Sequence, residues 1–206
     1  MTTAAEARKL KHAPPMEGVL PIFLERWSPR AFDEREVSKA DLRKIFEAAR
    51  WAPSSSNEQP WRFIVGLRGG ETHRKIVETL AGFNKEWAPK APVLMVGVAH
   101  TRFARNGSAN GYALFDLGAA STIITLQAHA LGIVTHQMGG FDKDATRRLL
   151  EIPEDYAIGS TMALGYQDEP EKLANQKLID GETAQRTRKP LSEIVMSAWG
   201  EPTNLE

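Results

Sequence analysis

The sequence predicts an α+β domain in which a central mixed β-sheet is flanked by helices. Three observations carry this reading. Runs rich in β-formers at 61–65, 93–99 and 156–166 alternate with segments of helical periodicity. The run 93–99 is apolar throughout, as a strand covered on both faces is. Residues 112–131 read as a long helix apolar on nearly all sides, which belongs at the centre of an assembly or against a sheet.

Taken in order, residues 1–16 read as a flexible polar tail ended by Pro14-Pro15, since they lack apolar periodicity. Residues 17–206 then form a single domain. A short apolar helix is expected over 17–25, with Pro21 in its first turn, delivering Arg26 to a helix end. The clearest helix runs from 38 to 52: Ser38 is the N-cap, Asp41 sits at the capping-box position, and Leu42, Ile45, Phe46 and Ala49 form one stripe before Pro53. A strand at 61–65 ends in Gly66, and Gly69-Gly70 turns into a helix around Ile76, Val77 and Leu80.

The strand at 93–99 is followed by a surface loop over 100–111, marked by Asn106-Gly107 and Asn110-Gly111. The helix 112–131 closes at Gly132 and is either a dimer interface or buried against the chain's own sheet. A strand at 132–136 leads to Gly139-Gly140, and Asp142 caps a helix through Leu149-Leu150. After the strand at 156–166, residues 167–189 are too hydrophilic for a core and long for a connection, so they are functional or wrap something. Apolar character returns at 190–195.

Composition removes several function classes. At 206 residues with 42% hydrophobic and 25% charged side chains, the chain can bury a core without staples. It has no cysteine, which excludes thiolate nucleophiles and iron–sulfur ligation. Lys plus Arg equals Asp plus Glu at 26 each, so no basic field favours nucleic acid. The N-terminus lacks a secretion-type apolar region and no stretch has membrane-span length, so a soluble cytoplasmic protein without membrane partners is expected. His12, His73, His100, His129 and His136 show no metal-ligand spacing, and no metal site is expected. With no P-loop, dinucleotide fingerprint or hydrolase elbow, any reactivity must come from a bound organic cofactor.

Two segments carry candidate chemistry. In Arg26-Trp27-Ser28-Pro29-Arg30-Ala31-Phe32, two guanidiniums flank a hydroxyl just after a helix, a donor set suited to phosphate, although an Arg-rich loop taken alone is more often solvated surface. In Ala52-Pro53-Ser54-Ser55-Ser56-Asn57-Glu58-Gln59-Pro60-Trp61, neutral donors and acceptors crowd one bend. They can read the edge of a heterocycle or simply cap a turn.

Together the two segments resemble the nitroreductase family of FMN-dependent oxidoreductases, whose members typically carry R-x-S-x-[RK]-x-F and, one helix later, A-P-S-x-x-N-x-Q-P-W-x-F. Further matches are Phe83-Asn84 before Ala91-Pro92-Val93, Leu131-Gly132-Ile133 followed by Met138-Gly139-Gly140-Phe141-Asp142, and Arg186-Thr187-Arg188-Lys189-Pro190-Leu191-Ser192. The resemblance spans roughly 20–195. It implies a homodimer with FMN at the subunit interface and a C-terminal arm, including 167–189, that extends around the partner.

The same resemblance implies site residues. Arg26, Ser28, Arg186 and Arg188 would surround the FMN phosphate, and Arg30 would face flavin N1 and O2, where a cation stabilises the charge of the reduced ring. Pro53, Ser54, Ser55 and Asn57 would come from the neighbouring subunit, and Asn84 would bond the pyrimidine side. Gly139 and Gly140 would bring backbone N–H groups close to N5. Trp27 lies within the first motif and Gly139 within a later one, yet both depart from the usual residue types there, which bears on the acceptor. The implied reaction is ping-pong: NAD(P)H reduces FMN, and a nitroaromatic, quinone or flavin takes the electrons, with no dedicated catalytic side chain. Dehydrogenation, reductive dehalogenation, a non-catalytic flavin-binding module and a scaffold that binds no flavin are the alternative readings.

Overall fold

The strand Val93–His100 (β2) lies at the middle of the molecule because both of its faces are apolar. Its alternate residues point into different clusters: Leu94, Val96 and Val98 meet Ile76, Leu80 and Trp87, while Val93 and Met95 meet Leu42, Ile45, Ala49 and Ile124. This is the period-two geometry of an extended chain sandwiched between two helical layers. The computed structural model describes residues 2–205.

Four strands form the sheet in the order β1-β2-β4-β3, with β1 Trp61–Leu67, β3 Val134–Met138 and β4 Tyr156–Gly165. The helices are α1 Ala4–Leu10, α2 Pro21–Glu25, α3 Lys39–Arg50, α4 Glu71–Thr79, α5 Asn84–Trp87, α6 Ala113–Ala130, α7 Lys143–Leu149 and α8 Gln176–Thr183. All three strand pairings are antiparallel, so the α+β architecture stands but the sheet is not mixed. Apolar runs encode burial and not strand direction, which is why direction could not be read from them.

Between β2 and β4 the register slips: Val96 faces Thr161 while Val98 faces Ile158. The extra residue reverses which face β4 presents, so Ile158 and Ala163 share one cluster despite their odd separation. Gly159 lies at this irregularity, and a Cβ there would come within 2.6 Å of Leu117 Cδ2. Glycine thus lets α6 descend onto the sheet.

Ser38 caps α3 as expected, its hydroxyl accepting from the Asp41 N–H at 3.0 Å. Helix α6 buries Ala113, Leu117, Ala120, Ile124 and Ala128 against the sheet and α3, and leaves Leu114 and Phe115 in solvent. Burial against the chain's own sheet therefore accounts for one side of α6 and leaves the other open.

Three further expectations need correction. The segment read as a polar tail is folded from Ala4, because Thr3 and Glu6 form a reciprocal capping box and Ala7 is fully buried. Residues 167–189 are not excluded from the core: Leu173 and Leu178 join the cluster beneath β2, and Glu182 has 0% exposure. The short helix α8 buries Leu178 and Glu182 on one side, and Leu173 just before it packs the same way, a pattern that bulk hydrophilicity hides. Helix α2 is also shorter than expected, beginning at Pro21 after a turn at Gly18.

The last segment differs from everything before it. A hairpin of Met196–Ala198 (β5) and Glu201–Pro202 (β6) is exposed, and Trp199 at its tip is 97% exposed. Among the described residues, no helix is long and apolar enough to cross a membrane.

Candidate functional site

Helix α2 ends at Arg26, whose backbone turns extended and carries Arg26-Trp27-Ser28-Pro29-Arg30 away from the helix. Onto this helix end folds Arg186, which donates from Nη1 to the Arg26 carbonyl at 2.5 Å and from Nη2 to the Leu24 carbonyl. Cations favour helix C-termini because the last carbonyls are unpaired and the dipole is negative there. Burial pushes the Arg26 guanidinium below its ordinary pKa, and Arg188 adds to this. Arg186 is lowered too, first by burial and then by Arg188 and Arg26. Arg188 is exposed and donates to its neighbour's carbonyl, that of Thr187, at 2.8 Å.

Three cations thus converge from opposite ends of the chain. Among the described residues none of them forms an ion pair. The Nε of Arg186 is buried and has no partner. Ser28 is half-buried within the same extended segment. Trp27 is instead packed: it is buried, with the Lys11 ammonium 5.1 Å from its ring centroid.

Arg30 leads into a depression of about 480 Å³ lined also by Ala81, Gly82, Phe83, Asn84, Gly140 and Leu178. Asn84 Nδ2 donates to the Gly140 carbonyl at 3.0 Å, joining the start of α5 to the loop after β3. A Cβ on Gly140 would lie 2.9 Å from that Nδ2, so a side chain there would push the Asn84 amide aside. Gly139 beside it is exposed. The His136 ring packs at a tilt against Trp87, with centroids 4.6 Å apart, and its Nδ1 lies 3.1 Å from the Pro29 carbonyl. Burial, with the nearby Arg30 charge, pushes His136 down to about 4. The ring is therefore neutral near pH 7, and since a carbonyl only accepts, Nδ1 carries the proton.

The turn Pro53–Asn57 occupies a separate place. Its Ser55 N–H donates to Asp116 Oδ2 of α6 at 3.1 Å, and Pro53, Ser54 and Ser55 line a second depression with Tyr112, Phe115 and Asp116. Ser56, Asn57 and Gln59 have φ of 53°, 54° and 51°. Three left-handed non-glycine residues in so short a run constitute stored strain, which is held where the surroundings over-determine it. Within one chain, no hydrogen bond joins this turn to the arginine cluster or to Arg30 among the described residues. The structure therefore brings Arg26, Arg186 and Arg188 together, and Arg30, Asn84 and Gly140 together, while Pro53, Ser54, Ser55 and Asn57 form a half-site of their own.

Reasoning from sequence missed Glu182, Lys11, His136 and Asp116. Glu182 bonds Arg30, Lys11 lies over Trp27, His136 supports Pro29 and Asp116 holds Ser55. The one available signal was Thr3 with Glu6, a capping box that announces α1 and so the placement of Lys11.

The fold and these sites define an α+β domain with a cationic anion cradle beside a shallow, glycine-edged depression. The chain belongs to the nitroreductase family, whose family model matches residues 24–95 and 77–166. It is 35% identical over 157 residues to an Archaeoglobus fulgidus protein whose name joins NADH dehydrogenase with NAD(P)H nitroreductase, covering 73% of this chain and 86% of that one. It is 31% identical over 195 residues to a Thermus thermophilus protein named NADH dehydrogenase, covering 75% of this chain and 92% of the other. A solved structure described as an oxidoreductase containing FMN superposes with a TM-score of 0.82 at 34% identity, over 90% of this chain and 94% of that one.

Proposed function

We propose that this chain is an NAD(P)H-dependent FMN oxidoreductase that reduces a small organic acceptor, a nitroaromatic, quinone or flavin, in a ping-pong cycle. The observation that carries the reading is the cluster of Arg26, Arg186 and Arg188. Gathering like charges without a carboxylate is unfavourable unless an anion completes the site, and the orphaned Arg186 Nε marks a donor in need of an acceptor. An FMN phosphate fits this donor set. The FMN named for one similar structure and the nicotinamide substrates named for similar proteins support the same conclusion.

FMN, when bound, supplies the reversible hydride and electron chemistry that no side chain of this chain has. Arg26, Ser28, Arg186 and Arg188 bind the phosphate. Arg30 would place a positive charge along the depression, where it would stabilise the negative charge of a reduced ring. Asn84, bonded to the Gly140 carbonyl, would read the pyrimidine edge, and Gly140, with Gly139 beside it, brings bare backbone to that wall. Trp27 supports the motif from beneath through packing.

The remaining half-site motivates a homodimer. Pro53, Ser54, Ser55 and Asn57 complete the site of the opposite subunit, and the open side of α6, with Tyr112, Leu114 and Phe115, forms the subunit contact. Residues from 190 onward extend as an arm onto the partner, which gives Trp199 its cover.

Purification tests this directly. The expected preparation is yellow, and its visible band bleaches anaerobically with NADH or NADPH and returns on adding acceptor. A colourless protein that takes up no FMN removes the proposal.

A further inference from the structure

We propose that Glu182 is a positioning residue for Arg30, holding it against the wall of the depression and setting the charge it presents there. The inference rests on the FMN reading above. Glu182 lies one helical turn beyond Leu178 on the same side of α8, so its carboxylate follows an apolar side chain into the interior. Both of its oxygens accept from the Arg30 backbone N–H at 3.1 Å, and Oε1 also faces Arg30 Nη1 at 3.4 Å. One carboxylate thereby fixes residue 30 at its backbone and at its tip.

Burying a carboxylate is costly, and burial accordingly pushes Glu182 above its ordinary pKa. A helix end that needed only packing would continue with another leucine. What opposes the cost is a ring of partners: Arg30 on one side and, on the other, Lys11, whose buried ammonium donates to the Gly181 carbonyl at 2.6 Å and to the Ala184 carbonyl. His136, held neutral, is a further titratable group next to Arg30, beside Glu182 and Lys11. Glu182 thus stands between two cations and partly cancels the one that faces the depression.

The consequence is electrostatic. With Glu182 ionised, Arg30 offers less than a full charge to a reduced flavin. Glu182→Gln keeps the shape and removes the cancelling charge, so reduced FMN gains affinity relative to oxidised FMN by about tenfold. For a two-electron couple, that corresponds to a potential raised by about 30 mV.

The test is a cycle of four FMN-loaded proteins: wild type, Glu182→Gln, Arg30→Met and the double variant, with midpoint potentials measured spectroelectrochemically. The expected result is an upward shift in Glu182→Gln that falls by at least half in the Arg30→Met background. No upward shift, or the same shift in both backgrounds, overturns the inference. Glu182→Asp covers a failure of the glutamine variant to fold, because it keeps the charge but withdraws the carboxylate. It should lower FMN affinity at least threefold, and unchanged affinity overturns the inference. If the wild-type chain takes up no FMN, this inference falls with the proposed function; FMN uptake with uncoupled variants removes the inference alone.

Discussion

Arg30 and Arg26 lie four residues apart in one extended segment, yet they occupy opposite electrostatic settings. Arg30 rests against a fully buried carboxylate that bonds its backbone as well as its guanidinium. Arg26 rests against Arg186 and Arg188, and both guanidiniums repel it. The first arrangement is complete within the chain and belongs to the fold. The second lacks an anion and belongs to whatever binds there. Substitutions at the two places should therefore have opposite consequences for the ligand-free protein.

The largest effect is expected from Glu182→Ala. It leaves Arg30 and Lys11 facing a hole in the interior and should destabilise the protein by about 3–5 kcal/mol, the usual cost of stranding one member of a buried pair, read by chemical denaturation. A loss below 1 kcal/mol would show that the pair is not part of the fold's support.

Acid should weaken the Arg30 side next. His136 titrates near 4 in the fold against about 6.5 when unfolded, so the unfolded chain binds the proton first as pH falls. Stability is fully present above pH 6.5 and is lost progressively down to about 4, by up to about 3 kcal/mol. His136→Gln should flatten that limb of the stability–pH curve. Arg30→Met, by removing the positive charge beside the ring, should raise the lower end of that limb and so shrink the loss.

Arg26→Ala sharpens the contrast. Losing a charge-assisted bond worth about 1.5–3 kcal/mol should weaken FMN binding by roughly 10- to 100-fold in a fluorescence titration. The ligand-free protein should keep its melting temperature or gain slightly, because a repulsion has been removed. A large loss of ligand-free stability would make Arg26 a structural residue like Arg30. The smallest effect belongs to Gly140→Ala, whose new methyl only displaces the flexible Asn84 amide. FMN affinity should fall by about threefold, a few tenths to 1 kcal/mol.

What the sequence made legible was local. Ser38 and Asp41 announce the start of α3, and the apolar run at 93–99 announces a strand covered on both sides, because capping and periodicity act within a turn or two. The motif residues at 26–32 and 186–188 were found, although their meeting depends on Arg186 reaching the carbonyls of α2 across 160 positions. Glu182 was invisible for the converse reason. A carboxylate in a hydrophilic stretch looks solvated, and only Arg30, 152 positions away, shows that it is not. The antiparallel sheet was missed because pairing direction is fixed by tertiary packing.

The bonds from Lys11 to the carbonyls of residues 181 and 184 also constrain the order in which the molecule can be finished. The ammonium leaves the ribosome about 170 residues before its acceptors. At roughly 5–20 residues per second, it waits about 10–30 s with no interior to enter. The clasp is therefore a late event relative to the synthesis of Lys11, and Arg30 reaches its final setting only after residues 181–184 have emerged.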